Sequence, residues 1–142
     1  MQIISTMNNT PLCIKMLTIV PKASGVYSLK NLISGKEYIG CSCNLYQRMK
    51  EHFCSLRCGK HKIIKLQEDY NNGHQFIFEV LVETKRIYAH MDELRNVETW
   101  YILNRHTTEK GYNHISVMGK DVNASKKALS PEQFKLQHTR CC

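Results

Sequence analysis

Residues 25–40 read Gly-Val-Tyr-Ser-Leu-Lys-Asn-Leu-Ile-Ser-Gly-Lys-Glu-Tyr-Ile-Gly, and their reading decides the fold. Val26–Leu29 and Lys36–Ile39 have the makings of two strands, and Ser34-Gly35 helps the Asn31-to-Gly35 stretch turn between them. The predicted product is a β-hairpin. Side chains alternate along a strand, so Lys36, Tyr38 and Gly40 share one face of the second strand. Tyr27 should then come within a residue or two of facing Tyr38. The loop length allows a bulge, which leaves the register open.

Downstream, Ser42 or Asn44 can cap a helix whose apolar stripe is Leu45, Met49, Phe53 and Leu56, and Gly59 ends it. Arg48 and His52, four apart, share a face beside that stripe. A second helix begins near His61, carries Ile63, Ile64, Leu66, Gln67 and Tyr70, and closes at Gly73. Phe76–Val82 is aromatic and β-branched, and reads as a strand at the centre of the sheet. A third helix from about Met91 places Met91, Leu94, Val97 and Tyr101 on one stripe. Glu98 sits on the flank of that stripe, half sheltered, where a carboxylate suits a metal better than it suits solubility. Gly111-Tyr112-Asn113 ends the compact part.

The ends read differently. Residues 1–11 are polar. Leu12–Val20 is interrupted by Lys15 and followed by Pro21, too short for a membrane span of roughly 20 residues. It also lacks a basic leader and a cleavage site. Ser130-Pro131-Glu132-Gln133 combines a cap, a proline at the first helical position and a glutamine three after the cap. Leu129 and Phe134 stand where a hydrophobic staple would join them. The expected organisation is an N-terminal extension over 1–21, a compact domain over 22–114, and an appended tail with a short helix over 115–142.

The 142 residues allow one domain with a real core, and 20 Lys+Arg against 12 Asp+Glu leave a formal charge of +8. The excess is concentrated. Residues 44–66 hold Arg48, Lys50, Arg57, Lys60, Lys62 and Lys65 against Glu51 alone, whereas 68–98 hold seven acids and three bases. One basic side favours a polyanionic partner. The seven cysteines (13, 41, 43, 54, 58, 141 and 142) are odd in number, which reads as reduced intracellular thiols. The expected location is cytoplasmic, at the nucleoid in a bacterial or phage setting. No role is assigned to the cysteines.

Two phenols, a guanidinium, an imidazole and a nearly solitary acid point to phosphodiester chemistry. Each has a duller reading: strand tyrosines pack, Arg48 and His52 can decorate a solvated face, and Glu98 can pair with Arg95 or Arg105. Singly these prevail. A two-metal site would need several carboxylates holding ions about 4 Å apart, and no such cluster accompanies these positions.

Together, the residues match a known spacing. The pattern resembles the GIY-YIG nuclease family over about residues 22–114. Gly25-Val26-Tyr27 matches the first triad, with valine for isoleucine, and Tyr38-Ile39-Gly40 matches the second. Arg48 stands where the family's catalytic arginine falls, and His52 follows. The run from Gly59 to Gln67 is similar to the family's second-helix segment. Glu98 takes the place of the metal-binding glutamate, and Gly111-Tyr112-Asn113 resembles the closing element. The catalytic domain of phage-type homing endonucleases is the nearest in character.

The resemblance implies an α+β fold, a small three-stranded antiparallel sheet flanked by helices. It implies hydrolytic endonuclease cleavage of DNA with one Mg²⁺ (or Mn²⁺) per site, held by Glu98. Tyr27 would be the general base, helped toward phenolate by Lys36 and Arg48. Arg48 would also bind the pentacovalent phosphate, and Tyr38 and His52 would orient the water or relay its proton. Asn113 would brace the site, and His61, Lys62 and Lys65 would contact DNA.

The alternatives are a restriction or repair nuclease of the same family, a catalytically inactive DNA-binding module, and a zinc module built from Cys41, Cys43, Cys54, Cys58 and His61. Zinc is disfavoured because Cys41-x-Cys43 is one residue short of the usual spacing. No membrane partner is expected. Residues 115–142 have room for only a helix, so either the chain is a minimal or shortened version or sequence selectivity comes from a homodimer or a separate targeting partner.

Overall fold

The computed structural model describes residues 20–84, 91–113 and 128–139. Strands β1 (Ser24–Asn31), β2 (Glu37–Ser42) and β3 (Phe76–Thr84) form one sheet in the order β2-β1-β3. Both pairings are antiparallel. Helices α1 (Leu45–Cys58) and α2 (Ile64–Asn71) lie between β2 and β3. Helices α3 (Met91–Arg105), α4 (Thr107–Lys110) and α5 (Pro131–Thr139) follow β3. This is the expected α+β architecture.

The hairpin has continuous register from Gly25↔Ser42 to Lys30↔Glu37, which sets Tyr27 opposite Gly40 and Leu29 opposite Tyr38. The irregularity falls on the other side of β1, where Val26 pairs with Val82 and Tyr27 with Val80. At the tip, the Asn31 side-chain oxygen accepts the N–H groups of Ile33 and Ser34 at 2.8 and 3.1 Å. Such local capping by asparagine holds a turn without help from elsewhere. Gly25 is required by close approach: a Cβ there would strike the Val82 carbonyl and the Leu45 side chain.

The sequence expectation for Phe76–Val82 needs correction. β3 is an edge strand, and β1 is central. The apolar run serves both helix-covered faces because the irregularity between Val80 and Val82 turns the strand over, sending Val80 to one face and Val82 to the other. Phe76 and Phe78 pack with Leu29, Leu45 and Met49, whereas Val82 packs with Val26, Leu94 and Val97.

Helix α1 forms where its stripe predicts it. Leu45, Met49, Phe53 and Leu56 are buried, and the Asn44 side chain caps the Gln47 N–H at 3.1 Å. Helix α5 is more than an appendage. Ser130 and Gln133 exchange two 3.2 Å hydrogen bonds in a capping box. Phe134 is buried in the cluster under α3, with Leu129 packed against the same cluster. The expected readings of residues 1–11 and Leu12–Lys15, and of Cys13, Cys141 and Cys142, lie outside the described residues.

Candidate active site

The two sheet faces carry different side chains to the same place. On the α1 face, Tyr27 lies flat against Phe78, with ring centroids 4.6 Å apart. Its hydroxyl reaches over Gly40: a Cβ there would stand 2.5 Å from the Tyr27 oxygen. Only glycine opposite Tyr27 leaves the phenol that position. Tyr38, two residues along, stands beside it with centroids 6.3 Å apart.

His52, expected beside the stripe and in the site, projects from α1 onto the same spot. It is buried, and its Nε2 lies 2.7 Å from the Tyr27 oxygen. Its Nδ1 lies 2.8 Å from Nε2 of His61. Arg48 is one turn earlier and exposed, loosely paired with Glu51 at 3.5 Å. Its charge favours the ionised forms of both tyrosines and opposes a proton on His52.

Glu98 arrives from the other face. Residues 37, 39 and 41 of β2 turn their backbone groups outward from the free edge, and each is taken up. The Glu37 carbonyl accepts the Tyr112 N–H at 2.9 Å. The Asn113 amide clamps Ile39, accepting its N–H at 2.9 Å and donating to its carbonyl at 3.0 Å. The Cys41 N–H and thiol face Glu98 and favour its carboxylate form. An edge strand covered this way is shielded from pairing with another chain.

The Glu98 carboxylate therefore stands at the β2 edge next to Gly40, over which the Tyr27 oxygen lies. The two groups are close enough that Glu98 raises the pKa of both Tyr27 and Tyr38. The duller reading of Glu98 is not met: Arg95 pairs with Asp92 at 3.1 Å and Arg105 with Glu37 at 2.7 Å.

Burial dominates the electrostatics. It drives the Tyr27 hydroxyl well above the ordinary phenol range and also raises that of Tyr38, Arg48 opposing and Glu98 reinforcing both shifts. It also raises the Glu98 carboxyl, against the hydrogen bonds from Cys41 and the charge of Arg95. Burial, His61 and Arg48 together hold His52 down to about 3. A phenol raised so far stays protonated unless positive charge arrives beside it.

Not every expected residue joins the cluster. Lys36 precedes β2, and its charge acts on the buried Asp69, which also accepts the Tyr112 hydroxyl at 2.6 Å. Its expected help to Tyr27 is not what the fold arranges. Both ring nitrogens of His61 are engaged, Nε2 by His52 and Nδ1 by the Ile63 N–H at 3.1 Å, which leaves neither for a phosphate. Lys62 and Lys65 are exposed and line a groove with Ile64, Gly111 and Asn113. Among the described residues no three His, Cys, Asp or Glu side chains gather as a metal site, so Cys41, Cys43, Cys54, Cys58 and His61 do not make the zinc alternative.

A family model for the GIY-YIG catalytic domain matches residues 23–113. The chain belongs to the GIY-YIG family. Over 90 residues it is 33% identical to Intron-associated endonuclease 1 of Enterobacteria phage T4, covering 63% of this chain and 36% of that protein. The chain thus spans about a third of the length of this curated relative. Among solved structures, it is similar to the catalytic domain of homing endonuclease I-TevI, with TM-score 0.58 and 32% identity. That match covers 64% of this chain and 97% of the solved one. A glutamate-to-alanine mutant of the I-TevI catalytic domain gives TM-score 0.57 and 33% identity, covering 63% and 91%. No helix among the described residues is long and apolar enough to cross a membrane.

Two contributors to the GIY-YIG site escaped the sequence reading. Cys41 touches the glutamate, and its signal was position: it alternates with Ile39 on the face that α3 covers. Gln67 accepts the His61 N–H at 3.0 Å and donates to the Leu56 carbonyl at 3.0 Å, fixing the α1–α2 loop. A buried glutamine on a helix stripe was the available sign.

Proposed function

We propose that this chain is an endonuclease that hydrolyses DNA phosphodiester bonds, resembling a homing endonuclease in its catalytic domain. The observation that carries the reading is the convergence of the Tyr27 oxygen and the Glu98 carboxylate at the β2 edge from opposite faces of the sheet.

The donor set fits a hard divalent cation. Mg²⁺ usually takes one or two carboxylates and completes its shell with water and substrate phosphate oxygens. Glu98, oriented by Cys41, is such a carboxylate, and a single Mg²⁺ or Mn²⁺ is assigned to it. When bound, the ion would offset negative charge developing on the phosphate and its leaving oxygen.

The chain's own residues do the rest. Tyr27, as phenolate, takes a proton from the attacking water while the water oxygen bonds to phosphorus and the 3′-oxygen departs. Arg48 favours the phenolate and offers a planar fork of donors to the pentacovalent phosphate. Tyr38 borders the water's position, and His52 fixes the Tyr27 oxygen. Asn113 holds the β2 backbone in register under both. Lys62 and Lys65 neutralise flanking phosphates, and sequence selectivity is assigned to a homodimer or a separate targeting partner.

Nicking of supercoiled plasmid tests this directly. Wild type should cut with Mg²⁺ and not with EDTA. Glu98→Ala and Arg48→Ala should each lose roughly 100- to 10,000-fold while keeping the wild-type far-UV spectrum. Cutting that persists in EDTA would remove the role given to Glu98.

A further inference from the structure

His61 is partly buried with both ring nitrogens engaged, and it closes a chain of hydrogen bonds whose direction can be worked out atom by atom. The Ile63 backbone N–H can only donate, and it points at His61 Nδ1 from 3.1 Å. That nitrogen must therefore carry a lone pair. A neutral His61 then has its proton on Nε2, where it faces His52 Nδ1 at 2.8 Å and donates to it. His52 Nδ1 is thereby made an acceptor, so a neutral His52 has its proton on Nε2. That N–H faces the Tyr27 oxygen at 2.7 Å.

We infer that His61 is a positioning residue that, through a backbone-fixed tautomer, makes His52 a permanent hydrogen-bond donor to the Tyr27 oxygen. The inference rests on the nuclease reading for its purpose and on the hydrogen-bond geometry alone for its direction.

The reverse polarity is blocked. If the Tyr27 hydroxyl instead donated a hydrogen bond to His52 Nε2, a neutral His52 would have to donate from Nδ1 to His61 Nε2. His61, accepting at both nitrogens, would then carry no ring proton. An added proton on His61 fares no better, since it would face the Ile63 N–H. Burial also holds both rings below the usual histidine range, His52 to about 3.

His52 is consequently not the base that deprotonates Tyr27. The Tyr27 proton passes instead to solvent water, and the phenolate left behind keeps the His52 Nε2–H donor already in place. Donors fixed before charge develops need no reorganisation when it does. Gln67 holds the loop that sets this up, by accepting the His61 N–H at 3.0 Å.

Ring ¹⁵N spectra of the full-length protein near neutral pH read the tautomers without any substitution. Nε2–H signatures for both His52 and His61 are expected. An Nδ1–H signature for His52, or a doubly protonated His61, would overturn the proposal. A second arm compares amides by plasmid nicking. The nitrogen of glutamine can replace Nε2–H, whereas asparagine reaches only as far as Nδ1. His61→Gln should keep cleavage within about threefold of wild type. His61→Asn should lose at least about tenfold, as when an imidazole is held in the wrong tautomer. Equal losses, or retention by the asparagine variant, would contradict the donor role. If Tyr27→Phe cuts normally, the nuclease role of Tyr27 fails while the spectra still report the relay. If the spectra show the opposite tautomer, the relay fails while cleavage still depends on Tyr27.

Discussion

The α1 face of the sheet and the α3 face bury comparable apolar residues but put their polar groups to different use. Under α1, Tyr27 and His52 sit among Leu29, Leu45, Met49 and Phe78, with a hydroxyl and two ring nitrogens in the core. Under α3, the packing is Val26, Ile39, Val82, Leu94 and Val97, closed off by Phe134, and the buried Ser28 hydroxyl donates to Glu37, which Arg105 pairs. Buried polar groups cost stability unless every one is bonded, so a fold keeps them where they have work. On the proposed function, the α1 face carries the chemistry and the α3 face holds shape, with Glu98 the side chain by which the second supplies the first.

If that division holds, substitutions on the two faces should separate stability from activity. The largest loss of stability is expected for Phe134→Ala. Emptying an aromatic site costs about 3–5 kcal/mol. Urea midpoints should fall accordingly, while nicking per folded molecule in the absence of urea stays near wild type. A parallel loss of cleavage would blur the two faces into one.

Gly40→Ala should show the converse. Its Cβ would meet the Tyr27 hydroxyl at 2.5 Å. Overpacking of this kind costs about 1–3 kcal/mol, visible in urea, and cleavage should fall more than stability because the phenol itself is displaced. Wild-type cutting by this variant would mean that the Tyr27 oxygen is not where the reaction needs it.

The polar face should also weaken in acid. His52 titrates lower in the folded chain, near 3, than in the unfolded one, near 6.5. Between those values the unfolded chain takes up a proton that the folded chain refuses, so stability falls as pH falls through the window. The slope approaches about 1.4 kcal/mol per pH unit. Urea unfolding at pH 6 and pH 5 should show it, and His52→Gln should flatten it. An unchanged slope in that variant would place the acid sensitivity elsewhere.

The smallest effect belongs to the exposed surface beside both faces. Duplex binding should be weak and strongly salt-dependent, and Lys62→Ala should reduce the salt slope by about 1. Fluorescence anisotropy across a salt series measures this, and an unaltered slope would take Lys62 off the DNA path.

Much of this was legible in the chain. The hairpin, the Asn44-capped stripe of α1 and the Ser130 capping box are local patterns, and each forms as written. Glycines 25 and 40 could be recognised as motif but not explained, because their reason is an approach by Val82 and Tyr27 across strands. The place of β3 was misjudged: an apolar run reports shelter on both faces and cannot say which strand lies beyond it. Lys36 fell to the same limit, since alternation gives a face but not where the strand begins. The pairing of His52 with His61 needed a loop to fold back on a helix, and no spacing rule encodes that. Glu98 was placed on a half-sheltered flank correctly, yet its attachment to Cys41 depends on the outward-facing edge of β2.

The central claim is that Tyr27 and Glu98, carried by opposite faces, act on one phosphate. A double-mutant cycle of single-turnover plasmid nicking with Tyr27→Phe and Glu98→Asp measures it. Groups that work as a unit are strongly non-additive, so the double variant should be scarcely slower than the worse single one. Losses that simply multiply would show two independent sites and contradict the account.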